Sequence, residues 1–274
     1  MRFAICNELY EGWAIEKVFA HAAQAGYAGV ELAPFTLADD CREITPKRRA
    51  EIKASARASG IEIVGLHWLL LKPAGLHLTS NDPDLRKKTE QYIEALIELC
   101  ADLGGTVMVF GSPKQRAVPV GTPVNTAWAR LVEALQRLGA KAAGKGVTIA
   151  FEPLSARDGC NLINTMAEGT ALLREVNSPG VKLHLDVKAM SSEGRPIAET
   201  IRLEGGVNLA HFHANDPNLR GPGMGEMAFE PIMQALKDVK YAGWVSVEVF
   251  DFTPGAEATA EQSIRALKRA LPVG

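Results

Sequence analysis

The sequence predicts a single α/β domain, residues 1–274, folded as a (β/α)8 barrel of the TIM barrel class. Short β-branched runs alternate with longer amphipathic stretches from one end of the chain to the other, and eight such units follow one another. The length of 274 residues is close to the roughly 250 residues of a typical one-domain barrel. No shift in composition marks a linker between domains.

Eight apolar, β-branched segments are the predicted strands. They cover residues 3–6, 29–33, 62–67, 106–110, 147–152, 181–186, 209–213 and 244–249. The clearest helical periodicity covers residues 82–103, 126–144 and 258–271. Gly26, Gly60 and Gly144 are expected at helix C-termini, where glycine commonly ends a helix before the chain turns into the next strand.

This alternation predicts a parallel sheet covered by helices, either closed into a barrel or open and doubly wound. Eight units favour the closed barrel. The open alternative often binds dinucleotides through a GxGxxG turn after the first strand, and the sequence has no such turn there.

Composition and charge narrow the function classes. Hydrophobic residues make up 47% of the chain, the formal net charge is −2 and the isoelectric point is about 6.3, which is typical of a soluble globular protein and gives no basic surface for nucleic acid. The longest apolar stretch, 64–71, is too short to span a bilayer, so no membrane partner is expected.

Glu8 comes too early in the chain for an N-terminal signal peptide, which predicts a cytoplasmic protein. The four cysteines form no CxxC pair and are expected to be reduced and buried.

The ends of the last four predicted strands carry one ionisable residue each. Glu152, Asp186, His213 and Glu248 are separated by 34, 27 and 35 residues, about one βα unit each time. Side chains at the C-terminal ends of barrel strands converge on a shared mouth. We therefore expect these four side chains to meet there.

Three carboxylates and an imidazole in apolar surroundings need a compensating charge, because an unpaired buried charge costs several kcal/mol. One divalent metal ion is the simplest source of that charge; a buried hydrogen-bond network without metal is the alternative. The oxygen-rich donor set suits Mn2+ first, with Mg2+ or Co2+ also compatible, whereas structural zinc prefers thiolates.

Several motifs at these positions resemble those of a known superfamily. They are GVEL in the second strand, FEPL at Glu152, LHLDVKAM at Asp186, HFHANDPNLRGPGMGEMAF around His213 and VEVF at Glu248. The chain is similar over essentially its whole length to the xylose isomerase-like TIM barrel superfamily, in its sugar isomerase and ketose 3-epimerase branch.

The resemblance implies roles for individual residues. Glu152, Asp186, His213 and Glu248 become the metal ligands, and Glu152 and Glu248 also become the paired catalytic acid/base groups. A carboxylate six residues after the first glutamate contacts the sugar in this branch, a position that Asp158 occupies here.

Two further residues predicted to contact the substrate match the pattern of this branch less closely. The loop arginine that binds substrate hydroxyls has its nearest counterpart in Arg220, one position out of register. Ala189 replaces a histidine of the ketose epimerases, and the neighbouring Lys188 is the candidate substitute, which leaves the identity of the sugar open. His67, at the end of the third strand, points into the mouth by strand phase. It is predicted either to bind a substrate hydroxyl or to be satisfied by nearby backbone.

The resulting hypothesis is a metal-dependent enzyme that moves a proton alpha to the carbonyl of a sugar through an enediolate. Return of the proton to the same carbon gives an epimer, and return to the adjacent carbon interconverts aldose and ketose. The resemblance also implies a dimer or tetramer. Three alternatives remain open: a lyase that dehydrates a cyclic polyol or keto acid, an abasic-site endonuclease, and a sugar-binding protein without catalysis.

Overall fold

Eight parallel strands form one closed barrel in the computed structural model, which describes residues 1–272. Each strand pairs with its neighbours in chain order, and β8 pairs with β1 to close the sheet. The strands are β1 Arg2–Cys6, β2 Gly29–Leu32, β3 Glu62–Leu66, β4 Val107–Phe110, β5 Thr148–Phe151, β6 Val181–Asp186, β7 Leu209–Ala214 and β8 Trp244–Val247. The predicted barrel is confirmed, and every predicted strand end lies within two residues of the observed one.

Helices cover the outside of the sheet. They are α1 Ile15–Ala25, α2 Pro46–Ala58, α3 Pro83–Leu103, α4 Val124–Gly144, α5 Met166–Val176, α6 Val187–Ser191, α7 Ile197–Glu204, α8 Glu230–Asp238 and α9 Ala256–Arg269. Gly26 ends α1 with a left-handed φ of 97°, as predicted. Gly144 also lies at a helix C-terminus, as predicted, because it is the last residue of α4. The left-handed conformation after that helix is taken by Gly146.

Buried apolar side chains form two clusters on the two faces of the sheet. The larger cluster joins strand residues such as Ile5 and Phe151 to the helices. The smaller consists of strand residues alone, among them Ala4 and Ala150. Because side chains alternate between the faces of a strand, these neighbours point into the barrel. The interior is therefore packed, and ligands are confined to its ends.

Strand register decides which residues share the mouth. Asp186 pairs with His213 across β6 and β7, and Cys6 pairs with Glu31 across β1 and β2. Closure also places the segment after β1 beside the segment after β8. Residues from the two ends of the chain therefore meet at the same mouth.

The cysteines agree with the sequence prediction, since Cys6, Cys41, Cys100 and Cys160 are all buried free thiols.

Among residues 1–272, no helix has both the length and the apolar character needed to cross a bilayer.

The close approach of β3 to β4 gives a test of the barrel packing. A Cβ on Gly65 would lie 1.8 Å from the carbonyl oxygen of Val107. We expect Gly65→Ala to lower the free energy of unfolding by about 2 to 3 kcal/mol, because the backbone must shift. Calorimetry should show a clear fall in Tm. Gly144→Ala is the matched control: its Cβ meets no atom within 4 Å, so Tm should hold or rise slightly. Equal melting of both variants would contradict this packing.

Candidate active site

A buried cluster of ionisable side chains lies at the C-terminal ends of the last strands. One possible ligand atom each from Glu152, His184, Asp186 and His213 lies within 4.8 Å of the other three. Glu152 directly follows β5, Asp186 ends β6 and His213 belongs to β7. The strand ends thus bring together three of the four predicted ligands.

Glu248, the fourth predicted ligand, directly follows β8 and contacts this cluster. Its Oε2 lies 3.1 Å from Nδ1 of His213, and its Oε1 accepts a hydrogen bond of 2.7 Å from Nε1 of Trp68. The side chain is therefore held in position from both sides of its carboxylate.

His184 lies within β6 and is the fourth member of this cluster. Its side chain is fully buried, Nε2 lies 3.9 Å from Oε1 of Glu152, and neither ring nitrogen has a hydrogen-bond partner within residues 1–272. Buried polar atoms are normally paired. Unpaired nitrogens next to two carboxylates fit a site that could hold a cation, so the donor set suits a metal ion.

The electrostatics of the carboxylates fit the same interpretation. Burial raises the pKa of Glu152 well above its ordinary value, and the charges of Glu248 and Asp186 add to the rise. Burial and the charge of Glu248 likewise raise the pKa of Asp186 to about 6. Both pKa values are thus raised first by burial and then by repulsion between neighbouring carboxylates, a repulsion that a divalent ion would relieve.

Below the cluster, Glu31 connects two histidines of β7. Its Oε2 lies 2.7 Å from Nε2 of His211 and 3.2 Å from Nε2 of His213. Burial alone would raise the pKa of Glu31, but the charges of these two histidines bring it well below its ordinary value. A carboxylate that contacts a candidate metal-binding imidazole orients that ring.

A cavity of about 380 Å³ opens beside the cluster. Its walls include Glu152 and Glu248 together with Asp158 and Lys188, two of the predicted substrate-binding residues. Nζ of Lys188 contacts Oδ1 of Asp158, so the two form an ion pair at the cavity wall. This volume is in the range of small-ligand pockets.

The other two predicted substrate contacts lie elsewhere. Nε of Arg220 donates to Oδ2 of Asp251 at 2.8 Å, and the side chain is 42% exposed. His67 has no exposed surface, and its Nε2 lies 2.6 Å from Oε2 of Glu8. Nε2 of His67 is thus paired with a side chain and not with backbone, while Nδ1 has no hydrogen-bond partner within residues 1–272.

Trp68 has a larger part in the site than the sequence indicated. Its backbone takes a φ of 51°, which is unusual for a bulky residue and frequent at functional sites. The indole lines the 380 Å³ cavity and also a neighbouring cavity of about 780 Å³, which Glu8 and Trp13 line as well. The larger cavity lacks the Glu152 and Glu248 pair on its walls, so we place the chemistry in the smaller one.

Arg116 holds the loops that carry the site. This fully buried side chain donates from Nε to the carbonyl oxygen of Gly111 at 2.6 Å and from Nη2 to that of Glu152 at 2.8 Å, and it also bonds the carbonyl oxygen of Leu162. Gly111 itself leaves room for the carboxylate of Glu152, because a Cβ there would lie 2.2 Å from Oε2. No sequence pattern indicates this role, because Arg116 lies in the basic segment GSPKQR, which favours either a solvated turn or contact with an anionic substrate group.

Comparisons with known proteins fit this geometry. The family model described as Xylose isomerase-like TIM barrel matches residues 19–270. The D-psicose 3-epimerase of Agrobacterium fabrum is 30% identical over 246 residues, covering 88% of this chain and 80% of that protein. The L-ribulose 3-epimerase of a Methylomonas species is 30% identical over 234 residues, covering 85% and 78%.

A solved structure of an epimerase is also similar to this chain over almost its whole length. The crystal structure of a D-psicose 3-epimerase in the presence of D-fructose superposes with a TM-score of 0.81 at 25% identity, covering 98% of this chain and 96% of that one. The relatives support an epimerase or isomerase activity for this chain.

Replacing Arg116 tests the role of the buried guanidinium. We expect Arg116→Leu to lower the free energy of unfolding by about 3 kcal/mol or more, because several buried carbonyl oxygens lose their donor. Differential scanning calorimetry measures the change. Arg265→Leu is the control, since Arg265 is exposed and pairs with Glu261 on the surface of α9, a contact worth at most about 0.5 kcal/mol. A Tm unchanged by Arg116→Leu would refute the role.

Proposed function

The chain belongs to the Xylose isomerase-like TIM barrel family, as its motifs predicted, and on that premise we propose that it is a divalent-metal-dependent sugar isomerase or epimerase. The observation that carries the proposal is the position of Glu152 and Glu248. Both glutamates line one small cavity, and both contact the buried histidine and carboxylate cluster.

In this proposal Glu152, Asp186, His213 and Glu248 hold one divalent ion. Mn2+ is preferred, and Mg2+ or Co2+ is compatible with the same oxygen-rich donor set. When bound, the ion supplies Lewis-acid stabilisation for the negative charge that develops on the carbonyl oxygen of the substrate. Glu31 supports the site by contacting Nε2 of His213.

The two glutamates carry the proton. One removes the hydrogen alpha to the carbonyl, and the other donates a proton from its own side of the cavity. Donation to the same carbon inverts it and yields an epimer; donation to the neighbouring carbon yields the aldose–ketose isomer. Trp68 keeps Glu248 in place through the indole hydrogen bond.

The proposed substrate is a ketose or a related hydroxy-ketone. The relatives' names, D-psicose and L-ribulose 3-epimerase, support a sugar. Asp158 and Lys188 line the cavity as an ion pair, which offers both an acceptor and a donor to sugar hydroxyls. Ala189 is small and buried, and in this proposal the neighbouring Lys188 substitutes for the histidine that the ketose epimerases carry at that position.

Hydrogen exchange with solvent tests the reaction directly. Incubation with Mn2+ and a panel of ketoses in D2O should introduce deuterium at the carbon next to the carbonyl, as NMR would show. Glu152→Gln and Glu248→Gln should each slow this exchange by about 100-fold to 10,000-fold, because a general acid/base group is lost.

Glu98→Gln is the matched control, because Glu98 pairs with Lys145 on the outer helices and should leave the exchange rate unchanged. Undiminished exchange in both site variants would disprove the catalytic roles. Failure of every ketose to exchange while Mn2+ is bound would disprove the activity.

Metal removal should destabilise the fold. An ion that binds the native state alone at 100 times its Kd adds about 2.7 kcal/mol to the free energy of unfolding. Treatment with EDTA should therefore lower Tm by several degrees, and added Mn2+ should restore it. The Glu98→Gln variant should respond as the parent does. A Tm indifferent to both treatments would contradict a structural contribution from the ion.

A further inference from the structure

A second group of possible ligands adjoins the first and uses residues from the start of the chain. Glu8, which follows β1, His67, which follows β3, and Glu248 each offer one ligand atom, and the three atoms lie within 4.8 Å of one another. Barrel closure brings them together from three different strands.

All three side chains are at least nine-tenths buried, at 4%, 0% and 4% exposure respectively. Oε2 of Glu8 lies 2.6 Å from Nε2 of His67, but Oε1 of Glu8 is buried and has no hydrogen-bond partner in the described part of the chain. An unsatisfied carboxylate oxygen in the interior is costly. Such an oxygen next to a second carboxylate marks the place of a missing positive partner.

The surroundings of His67 suit an imidazole that binds through Nε2. Its other nitrogen, Nδ1, points towards Oε1 of Glu31 at 3.9 Å. Metal-binding histidines commonly face a carboxylate with the nitrogen that does not bind the metal.

Buried carboxylates are concentrated at this mouth. Those of Glu8, Glu31, Glu152, Asp186 and Glu248 converge there. A cation bound beside Glu8 and Glu248 would relieve the repulsion between these two neighbouring acids.

We propose that Glu8, His67 and Glu248 form a second divalent cation site, so that the carboxylate of Glu248 is shared between two ions at the barrel mouth. Two carboxylate oxygens and one imidazole nitrogen suit Mn2+, with water completing the shell. The inference rests on the proposed function in one respect, because the first ion is the other partner of Glu248.

The experiment is a count of manganese ions per chain. Full-length protein is equilibrated with saturating Mn2+, and bound and free metal are separated and measured by plasma mass spectrometry. We expect two ions per chain in the parent protein and one in Glu8→Gln and in His67→Gln. Glu11→Gln is the matched control: Glu11 lines the same 780 Å³ cavity as Glu8 but is exposed, so it should keep both ions.

Electron paramagnetic resonance of the parent protein gives a readout that needs no variant to fold. Two Mn2+ ions that share a carboxylate couple magnetically, so the spectrum should show that coupling and lose it in Glu8→Gln. One ion per chain in the parent protein, without coupling, would overturn the second site and leave the proposed function intact. A protein that binds no manganese at all would overturn both.

Discussion

The mouth of the barrel concentrates negative charge in a place from which water is largely excluded. Burying a carboxylate without compensation costs several kcal/mol, so each carboxylate must have a positive or hydrogen-bonding partner for the fold to be stable. Three histidines meet part of this need, because His67, His211 and His213 each lie at hydrogen-bond distance from a buried carboxylate. The ring nitrogens of a fourth buried histidine, His184, have no hydrogen-bond partner within residues 1–272. The divalent cation that we propose would offset part of the negative charge that remains.

The rest of the architecture keeps these charges fixed. Arg116 holds the ends of β4 and β5 together through carbonyl groups, and Trp68 holds Glu248 through its indole nitrogen. Neither residue needs to react. Both reduce the motion of the two glutamates on which the proposed proton transfer depends, because a displaced acid/base group loses much of its rate advantage.

Two of the residues proposed to contact the sugar lie in the wall of the small cavity. Lys188 and Asp158 pair there, beside the buried Ala189. The adjoining 780 Å³ cavity shares Trp68 with the small one. The proposed metal ligands Glu152 and Glu248 line the same small cavity as this ion pair, so the proposed metal and substrate sites adjoin each other.

The sequence by itself determined the barrel, its strand positions and the four residues at the ends of β5 to β8. Hydrophobic periodicity and the ionisable residue at each strand end can be recognised from short segments of sequence. Any closed parallel sheet then brings the residues at its strand ends together. The contacts of Glu8, Trp68 and Arg116 depended on tertiary structure. Glu8 does follow a buried strand, and the strand-end argument applied to β1 would have singled it out. Its neighbours His67 and Glu248, however, are about 60 and 240 residues away in the chain. Only the closure of β8 onto β1 brings Glu248 close to Glu8 in space.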